Sequence, residues 1–373
     1  MSALSRAELD GLLRAVAAFG LPGAAHELPA QPLDEKSWGR LLGGVRSQRV
    51  AGHLLDALAF GALPATDAQF DEAVDLHAAA LSGIVLLERR LLHTVALLTD
   101  AGIDYRVLKG AAYAHTLYPD PGLRLYGDVD VLVPSALWDD AVAVLAAHGY
   151  RRRWPQPRPG FDRRFGKGGM FIDPEGYELD LHRTFVLGPF GLSVDLDQLF
   201  ATSTVFELGD EKLLALGPEE RFLHTCYHVA LGSVTPRLVP LRDLAQDLLG
   251  DLLDTDRVLE LARRWSAEAV VARAVALAWD RLGLADVVPL SVWARRYEPD
   301  GFQRRALATY HGDDHSYSAK TLAALRTLPT MRERAAFLYA LALPQRSYLA
   351  AHGTGYARWW RRGGRAVVRR EQA

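Results

Sequence analysis

The stretch Gly127-Asp128-Val129-Asp130-Val131-Leu132-Val133 decides the fold of this chain. Side chains alternate along a β-strand, so Asp128 and Asp130 are expected to share one face, with valines on the other. Two neighbouring aspartates repel each other and are poor strand formers, and a divalent cation would remove that repulsion. Replacing either one by Asn is therefore expected to leave the fold intact or slightly more stable. A solvent-exposed strand or turn that carries acidic residues is the alternative.

The segment just upstream predicts a strand, a tight turn and a helix. Residues 103–108 are typical of a short strand, Lys109-Gly110 interrupts it, and residues 111–118 favour a helix. Gly110 would let the backbone approach a ligand closely, and the free N–H groups of a helix start suit a phosphate. Lys109 would add a positive charge there. A plain strand-to-helix corner is the alternative, and beyond it the chain is expected to re-enter a strand at Leu123.

These segments resemble the uncharacterised nucleotidyltransferase family of the DNA polymerase β-type superfamily. The resemblance rests on residues 108–112, Tyr118-Pro119, Leu123-Arg124 and residues 127–133, and it covers roughly residues 85–250. It implies an α+β fold in which a small mixed-sheet palm core is flanked by N-terminal and C-terminal helical regions. Better-known members carry Gly-Ser where this chain has Lys109-Gly110, and that Ser normally helps to hold a nucleotide phosphate.

The resemblance also implies the active-site residues. Asp128, Asp130 and Asp180 are expected to be the catalytic residues and to bind Mg²⁺ or Mn²⁺, with Asp180 activating the acceptor. Residues 177–182 alternate between polar and apolar, which places Glu178 on the same face as Asp180 and makes it the alternative third acid. A turn at residues 173–176 predicts a hairpin over about 165–185. The expected nucleotide-binding residues are Lys109, Gly110, Arg124, Gly127 and His182.

Length and composition agree with an enzyme of two or three packed units. The chain has 373 residues, 49% of them hydrophobic, and a formal net charge of −2. Its single cysteine, Cys226, argues against a disulfide framework and a thiolate zinc site, which favours a cytoplasmic protein. No apolar run approaches the roughly 20 residues of a membrane span, so no membrane partner is expected. We expect an N-terminal helical region over 1–95, the nucleotidyltransferase core over 96–205 and a C-terminal helical domain with a basic tail over 206–373.

Two basic regions and one histidine pair are further candidates. Residues 151–167 carry seven basic side chains around a proline-rich loop, which could close over a triphosphate, grip an anionic substrate or remain solvated. In the tail, 356–370, arginines are interleaved with two tryptophans, a pattern that suits RNA or an acidic partner but also a helix docked through its tryptophans. His224 and His228 have a metal-ligand spacing on an apolar helix, where packing or a place in the nucleotide cleft is favoured over zinc.

Two classes of function follow. The first is an enzyme that transfers a nucleoside monophosphate from an NTP, with ATP as the expected donor, to an acceptor. By resemblance the acceptor is a modified peptide from natural-product biosynthesis, a small molecule or a tRNA. The second is a catalytically silent nucleotide-binding or adaptor module with the same fold, such as a toxin–antitoxin component. The three acidic residues favour the enzyme, and Lys109 at the usual Ser position favours the silent module.

Overall fold

A computed structural model describes residues 4–311 and 317–361 of the chain. Its N-terminal region consists of four helices: α1 (Arg6–Ala18), α2 (Glu35–Gln48), α3 (Ala51–Ala59) and α4 (Asp67–Asp100). Ser5 caps α1 in a reciprocal capping box with Glu8, which satisfies N–H groups that would otherwise lack a partner. Helix α4 packs on the sheet and runs past residue 95, so one continuous helix joins the N-terminal region to the core.

The core is one seven-stranded sheet with short helices between its strands. Its elements are β1 (Arg106–Leu108), α5 (Gly110–Leu117), β2 (Val129–Leu132), α6 (Trp138–Ala147), β3 (Arg151–Arg152), α7 (Phe161–Arg164), β4 (Gly168–Ile172), β5 (Glu178–His182), α8 (Pro189–Leu192), α9 (Gln198–Ala201), β6 (Thr204–Leu208) and β7 (Glu211–Ala215). The strand order is β3-β4-β5-β2-β1-β7-β6. Strand β2 pairs in parallel with β5, and β1 pairs in parallel with β7, while the remaining pairs are antiparallel. The predicted α+β class, a mixed sheet between helical flanks, is confirmed.

The expected strand at Leu123 is wrong. Pro121–Leu123 forms a 3-10 turn, and the strand begins only at Val129. Pro121 lacks an N–H group, and the side chain of Asp120 accepts a hydrogen bond from Gly122 N at 2.8 Å, so both favour a turn. Asp128 consequently lies immediately before β2, with Asp130 inside it.

The predicted hairpin over 165–185 is present as β4 and β5, which pair from Gly168↔His182 to Ile172↔Glu178. A second hairpin, β6–β7, extends the sheet to Ala215, ten residues beyond the expected end of the core at 205. Gly209 has a φ of +59° in its turn, a conformation that favours glycine. The alternation of residues 204–208 before that turn is the local signal for this hairpin.

The C-terminal region is helical. It contains α10 (Pro218–Leu231), α11 (Leu238–Leu248), α12 (Thr255–Arg264), α13 (Glu268–Leu282), α14 (Pro289–Arg296), α15 (Gly301–His311), α16 (Tyr317–Thr327), α17 (Met331–Ala342), α18 (Arg346–Ala351) and α19 (Tyr356–Arg361). Helices α10, α11 and α13 pack around one another, and their apolar residues continue the core of the sheet. Within the described ranges, every helix is too short or too polar to cross a bilayer.

The proline-rich loop at residues 153–160 rests on the C-terminal helices. Phe161 stacks on Phe337 of α17 with 5.9 Å between ring centroids, and Gln345 N donates a hydrogen bond to Pro157 O at 2.8 Å. In the tail, Trp359 is buried, whereas Trp360 is exposed. The rest of the predicted tail, residues 362–370, lies outside the described part of the chain.

Candidate active site

The parallel pairing of β2 with β5 brings the acidic residues together. Its register places Asp130 opposite Asp180 and Leu132 opposite His182. The Nε2 atom of His182 lies 2.8 Å from Asp130 Oδ1. Ligand atoms of Asp130, Asp180 and His182 all lie within 4.8 Å of one another, an arrangement that could hold a metal ion. The sequence had grouped Asp128 with Asp130 and Asp180, but in this structure His182, rather than Asp128, completes the cluster.

The side chain of Lys109 lies between Asp128 and Asp130. Its Nζ atom lies 2.9 Å from Asp130 Oδ2 and 3.1 Å from Asp128 Oδ2. The backbone of Lys109 has φ 34° and ψ −147°, a combination that residues with a side chain rarely adopt, and α5 begins at the next residue. Such backbone strain persists where surrounding contacts enforce it, often at functional sites. Gly110 follows with a φ of +45°, and a Cβ there would lie 3.3 Å from the ring of Tyr126.

The paired charges control the protonation of this site. Burial by itself would raise the pKa of the Asp130 carboxyl, but Lys109 and His182 bring it well below its usual value. Burial would lower the pKa of Lys109, yet Asp130 and Asp128 raise it above its usual value. The site therefore holds an ionised carboxylate and an ionised ammonium near neutral pH.

Asp128 is held from a second side by the N-terminal region. The guanidinium of Arg49, at the end of α2, lies 3.7 Å from Asp128 Oδ1. A Cβ on Gly127 would lie 2.6 Å from Arg49 Nη2, so glycine leaves room for that side chain. Burial and the charge of Asp130 would raise the pKa of Asp128, but Lys109 and Arg49 lower it.

The donor set of the cluster fits a divalent cation. Carboxylate oxygens suit Mg²⁺ and Mn²⁺, and the imidazole adds one nitrogen ligand. Among the described residues, the carboxylate of Asp180 has no hydrogen-bond or ion-pair partner. The buried Nδ1 atom of His182 also has no hydrogen-bond partner in the same part of the chain. Lys109 is the internal cation with which a metal would compete.

A cleft of about 420 Å³ opens beside the cluster. Lys109, Asp128, Asp180 and His182 line it, together with aromatic and apolar side chains from the proline-rich loop and the helices. His224 and His228 of α10 also line this cleft. The lining residues that sequence reasoning did not single out include Trp154, Phe185, Tyr227, Lys320 and Tyr348.

Two residues named from the sequence lie elsewhere. Arg124 is buried in an ion pair, with its Nη2 atom 2.7 Å from Asp243 Oδ2, and it does not line the cleft. Tyr118 also donates a hydrogen bond to Asp243, at 2.9 Å. Glu178, the alternative third acid, is exposed and pairs with Arg153. The sequence could not indicate these roles, because Asp243 lies far along the chain from Arg124.

Most of the basic side chains of residues 151–167 already have partners. Arg152 pairs with Asp162, Arg153 with Glu178 and Arg163 with Asp139. Arg158 donates a hydrogen bond to Leu343 O at 2.7 Å. Lys167 lines the cleft and has no ion-pair partner among the residues that the structure describes.

The seven-stranded mixed sheet between helical flanks is consistent with a nucleotidyltransferase-like fold. The chain belongs to the family described as uncharacterised nucleotidyltransferase, whose model matches residues 34–283. The match therefore includes the helices from α2 to α13, beyond the 85–250 range of the sequence resemblance. Among solved structures, an antigenic nucleotidyltransferase-like protein from Paracoccidioides brasiliensis is similar to this chain at 18% identity, with a TM-score of 0.30. That alignment covers 54% of this chain and 92% of the other. No curated protein matches the chain.

Proposed function

We propose that this chain is a metal-dependent nucleotidyltransferase that transfers a nucleoside monophosphate from an NTP to an acceptor hydroxyl. The observation that carries the proposal is the cluster of Asp130, Asp180 and His182 beside a cleft of about 420 Å³. Membership of a nucleotidyltransferase family supports the same reaction class. ATP is the proposed donor, and a modified peptide, a small molecule or a tRNA is the proposed acceptor.

The residues of the cluster would hold Mg²⁺ or Mn²⁺. A divalent cation at this position supplies charge neutralisation for the phosphate oxygens. Asp130 and Asp180 would provide carboxylate oxygens and His182 a ring nitrogen, and Asp128 is a further proposed ligand. The Asp180 carboxylate, which lacks another partner among the described residues, accepts the proton of the acceptor hydroxyl. Catalysis would depend mainly on positioning and on electrostatic stabilisation.

Lys109 and the start of α5 would hold the phosphates. The free N–H groups at the beginning of a helix attract an anion, and Gly110 has no side chain that would keep a phosphate away. Lys109, whose ammonium contacts both aspartates in this structure, would bind a phosphate oxygen if a metal took over those carboxylates.

Calorimetric titration of ATP with and without Mn²⁺ tests this proposal. We expect binding that requires the metal and that is lost in Asp180→Asn, because Asp180 would be a ligand without a structural partner. Asp140→Asn removes an exposed carboxylate on α6 and is the matched control. Equal ATP affinity with and without Mn²⁺ in the wild-type protein would contradict the proposed metal centre.

The second candidate function is a silent nucleotide-binding or adaptor module. The observation in its favour is the position of Lys109, because its ammonium balances both aspartates in the absence of a metal. Pyrophosphate release from an NTP in the presence of a cell extract separates the two functions. The enzyme releases pyrophosphate in a metal-dependent way, whereas the silent module leaves the nucleotide intact.

A further inference from the structure

Lys320 is a buried cation in the cleft, separate from the acidic cluster. It lies on α16, beyond the residues matched by the family model, and its exposed fraction is 6%. Its Nζ atom lies 4.6 Å from the centroid of the Tyr310 ring. Among residues 4–311 and 317–361 no carboxylate pairs with it, and burial alone lowers the pKa of its ammonium. The fold therefore keeps a lysine in the cleft without a described counter-charge.

The surroundings hold Lys320 in place. The Tyr310 hydroxyl donates a hydrogen bond to Leu187 O at 2.7 Å, which fixes the ring beneath the ammonium. Gly188 has a φ of +101°, and a Cβ there would lie 2.6 Å from the same hydroxyl, so a larger residue would disturb this platform. A cation over an aromatic ring is partly stabilised, but a buried charge without a counter-ion still costs free energy. That cost is recovered when an anion binds.

Lys320 serves a different part of the cleft from the acidic cluster. Lys109 Nζ and His182 Nε2 lie 2.9 Å and 2.8 Å from the carboxylate of Asp130, whereas the ammonium of Lys320 lies over the ring of Tyr310. Close to Lys320 the cleft is bordered by Leu187 at the loop before α8, and α16 packs directly on α8. Phe185 and Tyr227 add aromatic surface to the same cleft.

We propose that Lys320 binds an anionic group, a carboxylate or a phosphate, of the acceptor substrate. The role of the acceptor rests on the proposed function. The anion site itself rests on the burial of Lys320, on its place in the cleft lining and on the lack of a paired carboxylate among residues 4–311 and 317–361. The same chemistry could come from the triphosphate of the nucleotide, but Lys109, Lys167 and the start of α5 already supply positive charge beside the acidic cluster. The acceptor would thus be an anionic molecule with an apolar or aromatic portion, which suits the lining around Lys320.

Direct binding of small anions to the full chain tests this assignment. Benzoate, orthophosphate, tripolyphosphate with Mn²⁺ and the neutral benzamide would each be titrated at constant ionic strength. The proteins are wild type, Lys320→Met, Lys320→Arg and, as a control, Lys212→Met, which removes an exposed lysine on β7. We expect benzoate or orthophosphate to bind wild type, Lys320→Arg and Lys212→Met, and to bind Lys320→Met at least ten-fold more weakly. The affinities for benzamide and for tripolyphosphate should be the same in Lys320→Met and in wild type.

Two results would overturn the proposal. If neither benzoate nor orthophosphate separates Lys320→Met from wild type, including the case in which neither binds, the anion site is wrong. If only tripolyphosphate is lost, Lys320 serves the nucleotide instead of the acceptor. Lys320→Gln replaces Lys320→Met if the latter does not fold. These titrations measure anion binding and do not require nucleotidyl transfer. If the chain does not catalyse transfer, anion binding at Lys320 would still be observed, so the two failures can be told apart.

Discussion

Lys109 Nζ lies 2.9 Å from Asp130 Oδ2, so a lysine in the turn before α5 pairs with a carboxylate that is buried in β2. The ammonium also contacts Asp128, so its single positive charge lies between two acids and reduces their mutual repulsion. This contact explains how an acidic cluster is tolerated in the sheet without a metal. It also means that any cation entering the cluster must compete with Lys109.

The first prediction concerns the loss of this internal cation. Lys109→Met should lower the free energy of unfolding by about 3–5 kcal/mol, because Asp130 would remain buried without a counter-charge. Mn²⁺ should restore part of the loss by taking the place of the ammonium. Urea unfolding with and without Mn²⁺ measures both effects, and Lys212→Met should stay within about 0.5 kcal/mol of wild type. A Lys109→Met protein as stable as wild type and indifferent to Mn²⁺ would show that Lys109 is not a structural counter-ion.

The second prediction separates Asp130 from Asp180. Asp130→Asn should cost about 1–3 kcal/mol of stability, because it removes the ion pair with Lys109 and weakens the hydrogen bond with His182. Asp180→Asn should change stability by less than about 0.5 kcal/mol, because its carboxylate has no partner among the described residues. Both variants should lose Mn²⁺ binding in calorimetry. The sequence alone predicted an intact or slightly more stable fold for Asp130→Asn, and the contact with Lys109 leads us to expect a loss instead. Equal stability losses in the two variants would argue against this distinction.

The third prediction is the pH range over which Asp130 stabilises the fold. Its pKa is lowered in the folded protein, so its contribution is complete above the unfolded value of about 3.9 and is lost as pH falls below it. The pKa of Lys109 is raised, so its contribution is complete below about 10.4 and is lost at higher pH. The stability difference between wild type and Asp130→Asn should be constant from about pH 5 to pH 9. A difference that changes mainly between pH 5 and pH 8 would contradict the assignment of the effect to the pair of Asp130 and Lys109.

The fourth prediction concerns Arg124 and Asp243. Arg124→Met should destabilise the protein by about 3–5 kcal/mol, because it leaves the carboxylate of Asp243 buried without its ion pair. Combining it with Asp243→Leu should recover part of that loss. A double-mutant cycle of unfolding free energies measures the coupling. If Arg124→Met keeps wild-type stability and loses only ATP binding, the nucleotide role expected from the sequence would stand.

Local patterns in the sequence predicted much of the sheet. The alternation of residues 127–133 and 177–182 indicated which side chains share a face, and β2 and the β4–β5 hairpin are present. The parallel register that sets Asp130 beside Asp180 had no local signal, because alternation gives the face of a strand but not its partner. The place of His182 in the cluster follows from that register.

Contacts between distant parts of the chain could not be predicted from the sequence. Lys109 had been assigned to a phosphate on chemical grounds, and its pairing with the two aspartates depends on a backbone conformation that no local pattern of a lysine predicts. The packing of the C-terminal helices determines that Arg124 pairs with Asp243 and that Lys320 lies in the cleft. Such packing depends on the whole hydrophobic core, so it cannot be predicted from the identity of single residues.

The most direct test of the central claim is the fate of the phosphates of the NTP. The protein would be incubated with Mn²⁺, a cell extract and ATP or another NTP labelled at either the α- or the γ-phosphate. Nucleotidyl transfer places the α-label on an acceptor and releases the γ-label in pyrophosphate, and Asp180→Asn should stop both while Asp140→Asn should not. Transfer of the γ-label to an acceptor would make the protein a kinase. Metal-dependent binding of every NTP without movement of either label would contradict nucleotidyl transfer and favour the silent module.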